Sequence, residues 1–256
     1  MMLLILTCMA LSQVRPDAGA FTADAGVKVA TLSADAGVPA APVPSAAPAP
    51  KKAELAPDVK ALVDRVQAFY EQTKDFKADF TQAYTYKAFK RTQTSSGTVT
   101  FKKPALMRWE YAKPAPKTFV LAGERVYTYD PEAKLLTRAA INTSSLSASV
   151  TFLWGQGKLA SEFSIAKKAC ATCTGTLLEL TPLVPDPRFQ RVLLEIDPAS
   201  AQVVRSTVID PDGSENAISF SKLTTNTNVD EAHFKLTPPP GTQVQDFAGN
   251  APAAKP

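Results

Sequence analysis

Residues 97–111 read GTVTFKKPALMRWEY. Two short alternating patterns lie back to back around a proline. Gly97, Val99 and Phe101 alternate with Thr98, Thr100 and Lys102; then Met107, Trp109 and Tyr111 alternate with Arg108 and Glu110. A period of two is that of a strand with one apolar and one polar face. Pro104 has no amide to give to a ladder, so it must lie between the strands. The stretch predicts two antiparallel strands that present Val99, Phe101, Met107, Trp109 and Tyr111 on one face.

The pattern extends in both directions. Phe76, Ala78 and Phe80 alternate with Lys77, Asp79 and Thr81. Strands are expected at 118–121, 125–129 and 134–139, with turns at Gly123-Glu124 and Asp130-Pro131. More follow at 162–167, 176–182, 190–197, 202–209 and 215–222, with hairpin turns at 197–200 and 210–213. Phe234 to Leu236 is expected to close the sheet edge. Two stretches have helical spacing instead. Val59, Leu62, Val63, Val66, Phe69 and Tyr70 follow Asp58, read as the cap of the first turn. Leu146, Val150, Leu153 and Trp154 precede Gly155 and Gly157, which end the second helix. No βα alternation appears, and about eleven strands in one sheet must curl, split or close. The expected fold is mainly β with helices: a strongly curved, incompletely closed antiparallel β-barrel of about eleven strands, its concave face covered by a helical lid.

The ends of the chain read differently. Residues 1–20 are assigned to an export signal region. Its apolar run, Met1 to Leu11, is too short for a membrane-spanning helix, which needs about 20 residues. Cleavage after Ala10 or Ala20 is left open. Cys8 ends Ile5-Leu6-Thr7-Cys8, loosely a lipidation motif, but Thr7 is bulky and a cleaved, unanchored form is favoured. Residues 21–56 form an Ala/Pro-rich linker: ten of the twelve residues from Pro39 to Pro50 are Pro or Ala, with little apolar bulk to offset the entropy of ordering. Residues 57–247 make the folded domain and 248–256 a flexible tail.

The formal net charge is +4, with no dense Lys/Arg run, so a nucleic-acid footprint is not indicated. The residues that carry catalysis are also missing as motifs. His233 is the single histidine, placed in a surface turn. No Gly-x-Ser-x-Gly elbow, phosphate-cradling loop or nucleotide fingerprint is present. An enzyme is not expected, nor a metal or cofactor. Cys170-Ala171-Thr172-Cys173 admits three readings: a local disulfide, free thiols, or redox or metal chemistry. The disulfide, Cys170 to Cys173, fits an oxidising compartment. Zinc would need two further ligands.

Taken in order, FKADFTQ at 76–82, the stretch 97–111, the turn Tyr129-Asp130-Pro131, the apolar segment 146–154 and FKLTPPPG at 234–241 resemble the periplasmic outer-membrane lipoprotein carrier protein family, LolA. The similarity spans about Asp58 to Phe247. What the resemblance implies is a carrier that shields acyl chains in an apolar cavity. Its cargo would be acylated lipoproteins, taken from an inner-membrane ATP-driven releasing complex and handed to an outer-membrane receptor. The place would be the periplasm of a Gram-negative bacterium, and the form a monomer. Two alternatives share the fold: an outer-membrane-anchored acceptor tethered through Cys8, and an envelope lipid-binding protein. Cavity-lining positions are expected at Val59, Leu62, Val63, Val66 and Phe69 on the first helix and Leu146, Val150 and Leu153 on the second. From the sheet come Phe80, Val99, Phe101, Met107, Trp109 and Tyr111. Lys103 stands where the best-known members carry an Arg that controls the lid and transfer. A Lys keeps the charge but loses the planar fork of donors.

Overall fold

The computed structural model describes residues 54–141 and 158–247. Helix α1 (Pro57–Gln72) leads into β1 (Asp75–Tyr86), β2 (Arg91–Lys102), β3 (Leu106–Lys113), β4 (Lys117–Ala122), β5 (Arg125–Asp130) and β6 (Leu135–Ala140). After residues 142–157 come the one-turn helix α2 (Leu159–Glu162), β7 (Phe163–Lys168), β8 (Thr176–Pro182) and β9 (Arg191–Ile196). The described chain finishes with β10 (Val203–Ile209), β11 (Glu215–Thr225), a 3-10 turn (Glu231–Phe234) and β12 (Gln243–Phe247).

Among the described residues, twelve strands form one sheet in the order β12-β6-β5-β4-β3-β2-β1-β11-β10-β9-β8-β7. Two sequential meanders, β1 to β6 and β7 to β11, are joined by a single antiparallel pair, β1 with β11. Only β12 runs parallel to its neighbour, β6. Among the described residues the sheet is not closed, and β7 and β12 are its edges. The domain is therefore mainly β, as the alternation predicts, with twelve strands where about eleven are expected.

Three expectations are corrected. Phe234 to Leu236 is not the edge strand. Phe234 closes the 3-10 turn, whose first amides are satisfied by Asp230 accepting from Ala232 N. The edge is β12, whose five residues are all exposed and so carry no alternation to read. Asp58 is not a cap. Pro57 starts α1 after Ala56 with no side-chain cap bond, and Asp58 sits in the first turn, 3.3 Å from Lys167 Nζ. Strand β1 also outruns its alternation by five residues, because polar Gln82 occupies an inward position.

The register fixes which side chains share a face, since residues directly opposite in an antiparallel pair point the same way. Phe80 faces Gly97 and Phe220, and Gln82 faces Ile218. Ile218 faces Ser206, Ser206 faces Leu194 and Leu194 faces Leu178. Val99 faces Trp109, which faces Phe119. The inward residues from β4 to β8 thus belong to one continuous face. On it lie two apolar clusters, one under α1 on β7–β10 and one on β1–β4 with Ile218.

The opposite face of β2–β4 is covered by residues 226–234. Lys102 Nζ donates to Val229 O at 2.7 Å, and Arg108 Nη1 donates to His233 O at 3.1 Å. Buried Asp75 clasps the start of this segment, accepting from Thr227 N at 2.8 Å, Thr227 Oγ1 at 3.0 Å and Asn228 N at 3.0 Å. Hydrogen bonds to a charged acceptor stabilise by more than neutral ones. Asp75→Ala is expected to lose about 2 kcal/mol in urea unfolding. Hydrogen exchange at the Thr227 and Asn228 amides should rise in the same variant.

Candidate functional site

The first half of the site is α1 on its sheet. Val59, Val63, Val66 and Tyr70 recur at helical spacing and are buried; Leu62 and Phe69 pack beside them. Beneath lie Leu178, Leu180, Leu194, Ile196, Val203 and Val208, brought together by alternation on β8–β10. Tyr70 Oη accepts from Val203 N at 3.4 Å, and burial pushes its phenol up to about 12. A cleft of about 230 Å³ opens along the flank of the helix, where Val59, Leu62 and Leu178 meet Arg65 and Lys167.

The second half is aromatic. Phe80 makes edge contacts with Trp109 at 4.7 Å and Tyr111 at 5.0 Å, and Phe76 stacks on Phe101 at 5.2 Å. Val99, Met107, Phe119 and Leu121 complete the cluster. The missing side chain at Gly97 leaves room for Phe80. A Cβ on Gly97 would lie 1.9 Å from Glu110 O, and Phe80 covers the bare backbone there. Ile141 packs at the margin of this cluster and donates its amide to Glu124 O, while the Leu159 amide, after the segment 142–157, donates to Gln67 Oε1 of α1 at 3.4 Å.

Between the two halves runs a polar strip that alternation does not reveal. Gln82 Oε1 accepts from Tyr111 Oη at 3.0 Å and Ser95 Oγ at 3.1 Å, and its Nε2 donates to Asn216 Oδ1 at 2.9 Å. The Gln82 amide is thereby partnered at both its oxygen and its nitrogen, which offsets the cost of removing it from water, whereas Trp109 Nε1 in the neighbouring cluster is buried without a partner among the described residues. Burial and the proximity of carboxylates also raise the Tyr84 phenol, which donates to Asp210 Oδ2 at 2.6 Å.

The predicted positions therefore divide. Val59, Leu62, Val63, Val66 and Phe69 belong to the first cluster, and Phe80, Val99, Phe101, Met107, Trp109 and Tyr111 to the second. The helix positions pack on one side of the sheet face and the strand positions lie on another part of it, so the two groups do not form one contact set. Leu146, Val150 and Leu153 lie outside the described residues, as does Cys8. Lys103, at the end of β2, reaches the C-terminus of α1 and donates to Tyr70 O at 2.7 Å and Glu71 O at 2.9 Å. These are carbonyls that a helix end leaves without intrahelical donors. Burial holds the Lys103 ammonium below its usual range, partly offset by Glu71.

Cys170 and Cys173 form a disulfide in the β7–β8 loop. The same loop is tied down by buried Glu195, whose Oε1 accepts from Thr174 N at 2.8 Å, Thr174 Oγ1 at 3.2 Å and Gly175 N at 3.1 Å. His233 stands within the 3-10 turn, on the far face from both clusters, 3.2 Å from Thr100 Oγ1. Burial and the neighbouring Arg108 hold its imidazole below the usual range. Among the described residues, no three His, Cys, Asp or Glu side chains are grouped to hold a metal ion, and no helix is long and apolar enough to cross a membrane.

Residues 71–237 match the family model described as outer membrane lipoprotein carrier protein LolA. The outer-membrane lipoprotein carrier protein of Dechloromonas aromatica is 31% identical over 182 residues, covering 71% of this chain and 86% of that protein. The protein of the same name from Neisseria meningitidis serogroup B is 27% identical, with the same coverage of 71% and 86%. A crystal structure of an uncharacterised conserved protein from Thermus thermophilus superposes with a TM-score of 0.49 at 16% identity, covering 74% of this chain and 99% of that one. With the family model spanning β1 to the end of the 3-10 turn, and the relatives matched across most of their length, this chain belongs to the outer-membrane lipoprotein carrier family, LolA, a family of carriers and not of enzymes.

Proposed function

We propose that the chain shields the acyl chains of lipoproteins and carries them across the periplasm, the compartment in which this family works. The observation that carries the reading is the shared sheet face. Its apolar clusters lie side by side, and α1 covers one of them through a stripe that hydrocarbon can replace. The energies are matched. Six apolar α1 side chains, at about 1.5–3 kcal/mol each, are worth roughly 9–18 kcal/mol of burial. One sixteen-carbon chain is worth about 12 kcal/mol. Exchange of α1 for one tail is therefore near balance, and a triacylated cargo, at about three times that, needs more apolar cover than α1 alone gives up. In this reading the twelve-stranded sheet bends around α1 as an unclosed barrel, because open sheets of more than about ten strands tend to curl. Val59, Leu62, Val63, Val66 and Phe69 leave as the lid. Phe80, Val99, Phe101, Met107, Trp109 and Tyr111 stay as wall. Leu146, Val150 and Leu153 are proposed for the other lid element.

The cargo is handed over by an inner-membrane ATP-driven complex and taken up by an outer-membrane receptor. Residues 57–247 form the carrier domain, behind an export signal at 1–20 and a linker at 21–56. Co-expression with a tagged lipoprotein tests the reading. The expected result is a soluble one-to-one complex that forms with triacylated cargo and not with a variant lacking the acylated cysteine. A complex that forms equally with the non-acylated variant overturns it.

Lys103 sets the ease of opening. Lys103→Met is expected to destabilise the domain by about 1 kcal/mol, since two helix-end carbonyls lose a charged donor. Hydrogen exchange should quicken in residues 57–72 more than in β8–β10. Lys103→Arg should restore protection. Equal acceleration in both regions would separate Lys103 from the lid.

A further inference from the structure

The hairpin joining β1 to β2 ends in a feature that the cargo site does not use. Phe89 is 79% exposed there, within a run in which Lys87, Ala88, Lys90 and Arg91 are exposed as well. The tip also stands clear on one side. β2 pairs with β1 up to Arg91, but β3 accompanies β2 only from Ser96 onward. Residues 91–95 thus extend past the end of β3, about 16 Å at strand rise. On the other side β11 follows β1 to Thr85, so the hairpin is braced and not loose. Lys87 N donates to Ser214 Oγ at 3.2 Å, and the Lys87 stem lies over the Gly213 turn. Lys90 holds the turn at φ 49°, a conformation glycine adopts more easily.

The chemistry of the tip is amphipathic. Tyr84 and Tyr86 touch edge to face at 4.5 Å, and Tyr86 reaches Phe89 at 6.4 Å, an aromatic line running from the sheet to the open tip. Three exposed cations flank Phe89 in the chain, Lys87, Lys90 and Arg91. Lys87 lies near Asp212, and Glu215 stands opposite Thr85 at the base. Among the described residues Lys90 and Arg91 form no ion pair. A projecting aromatic side chain followed directly by two such unpaired cations is complementary to an anionic bilayer surface: the ring enters the headgroup layer while the long basic side chains keep their charges at the phosphates.

We infer that the β1–β2 tip is a contact site for an anionic phospholipid surface, with Phe89 as the inserted group and Lys90 and Arg91 as the electrostatic attachment. Such a contact sets the aromatic cluster near the membrane. Phe80 and Tyr86 point to the same face of β1 six residues apart, about 20 Å along the strand. The inference stands apart from the cargo, and the test contains none.

The test uses the full chain with Ala88→Cys in a Cys8→Ser background, the new thiol carrying an environment-sensitive fluorophore, so that the signal comes from the tip alone. Emission is expected to brighten and shift to the blue with vesicles of phosphatidylethanolamine and phosphatidylglycerol at 3:1. Phosphatidylcholine vesicles should give no change, and 0.5 M salt should reverse the response. Lys90→Gln with Arg91→Gln should weaken vesicle binding about 25-fold, near fivefold per charge. Phe89→Ser should leave the label in water. These residues are exposed, so melting temperatures should match the parent. A label that stays in water on anionic vesicles overturns the inference. So does an equal response to phosphatidylcholine, or a double-charge variant that binds like the parent.

Discussion

Gly97→Ala is expected to destabilise the domain by on the order of 4 kcal/mol, lowering its melting temperature by about 10 °C. The cause is the backbone of the next strand. The added methyl would sit 1.9 Å from Glu110 O and 2.8 Å from its carbonyl carbon, neither of which can rotate away. β2 and β3 would have to part at the point where their register already shifts, between Ser96 and Gly97. Phe80, 3.0 Å from the same position, is a side chain and can give, so trimming it should not rescue the variant. Gly123 supplies the contrast. It sits at φ 60° in a turn with nothing near its absent Cβ, so Gly123→Asn, a residue that tolerates this conformation, should change stability by under about 0.5 kcal/mol. Calorimetry of the pair separates crowding from turn strain. An unshifted melting temperature for Gly97→Ala would show that β2 and β3 can spread without cost.

Trp109→Glu carries the second large effect, on stability and on cargo together. The indole is 1% exposed and in contact with Phe80. A carboxylate there loses aromatic burial and must either stay charged in an apolar setting or take up a proton. A loss of about 4–5 kcal/mol is expected in denaturant unfolding at pH 7, and less at pH 4, where the acid is mostly protonated. Trp109→Phe keeps the apolar wall and should cost under half as much. Cargo retention by the two variants is compared at a temperature where both remain folded. Trp109→Glu should release acylated lipoprotein that Trp109→Phe keeps. Equal retention would remove Trp109 from the lining of the proposed cavity.

The stretch 97–111 was readable because each of its strands presents large apolar groups to one side and polar groups to the other. The same holds for Val59 to Tyr70, whose stripe is broad enough to fix both the helix and its buried side. What escaped reading did so for physical reasons. Gln82 and Asn216 face inward yet are polar, and their mutual hydrogen bond makes them acceptable only once β1 lies beside β11. Asp75 and Glu195 resemble ordinary surface acids in sequence, but each is buried against amides from another segment of chain. Alternation also identifies the inward apolar residues without showing that they gather into two clusters. That division comes from strand order. β11, not β7, lies beside β1, so the second meander is added to the sheet from its far end.

That order of strands governs how the fold is reached. β1 is made early and its partner β11 comes about 140 residues later, so the hydrogen-bonding groups along this edge of β1 wait for nearly the whole domain to be synthesised. Loops that long are costly to close before their contacts form, and folding led by distant strand pairs is slow. Neither meander alone covers its own central edge, so a truncated chain would present an unpaired strand as a site for aggregation. A chain delivered across a membrane unfolded would thus gain its working form only after its last long strand arrives.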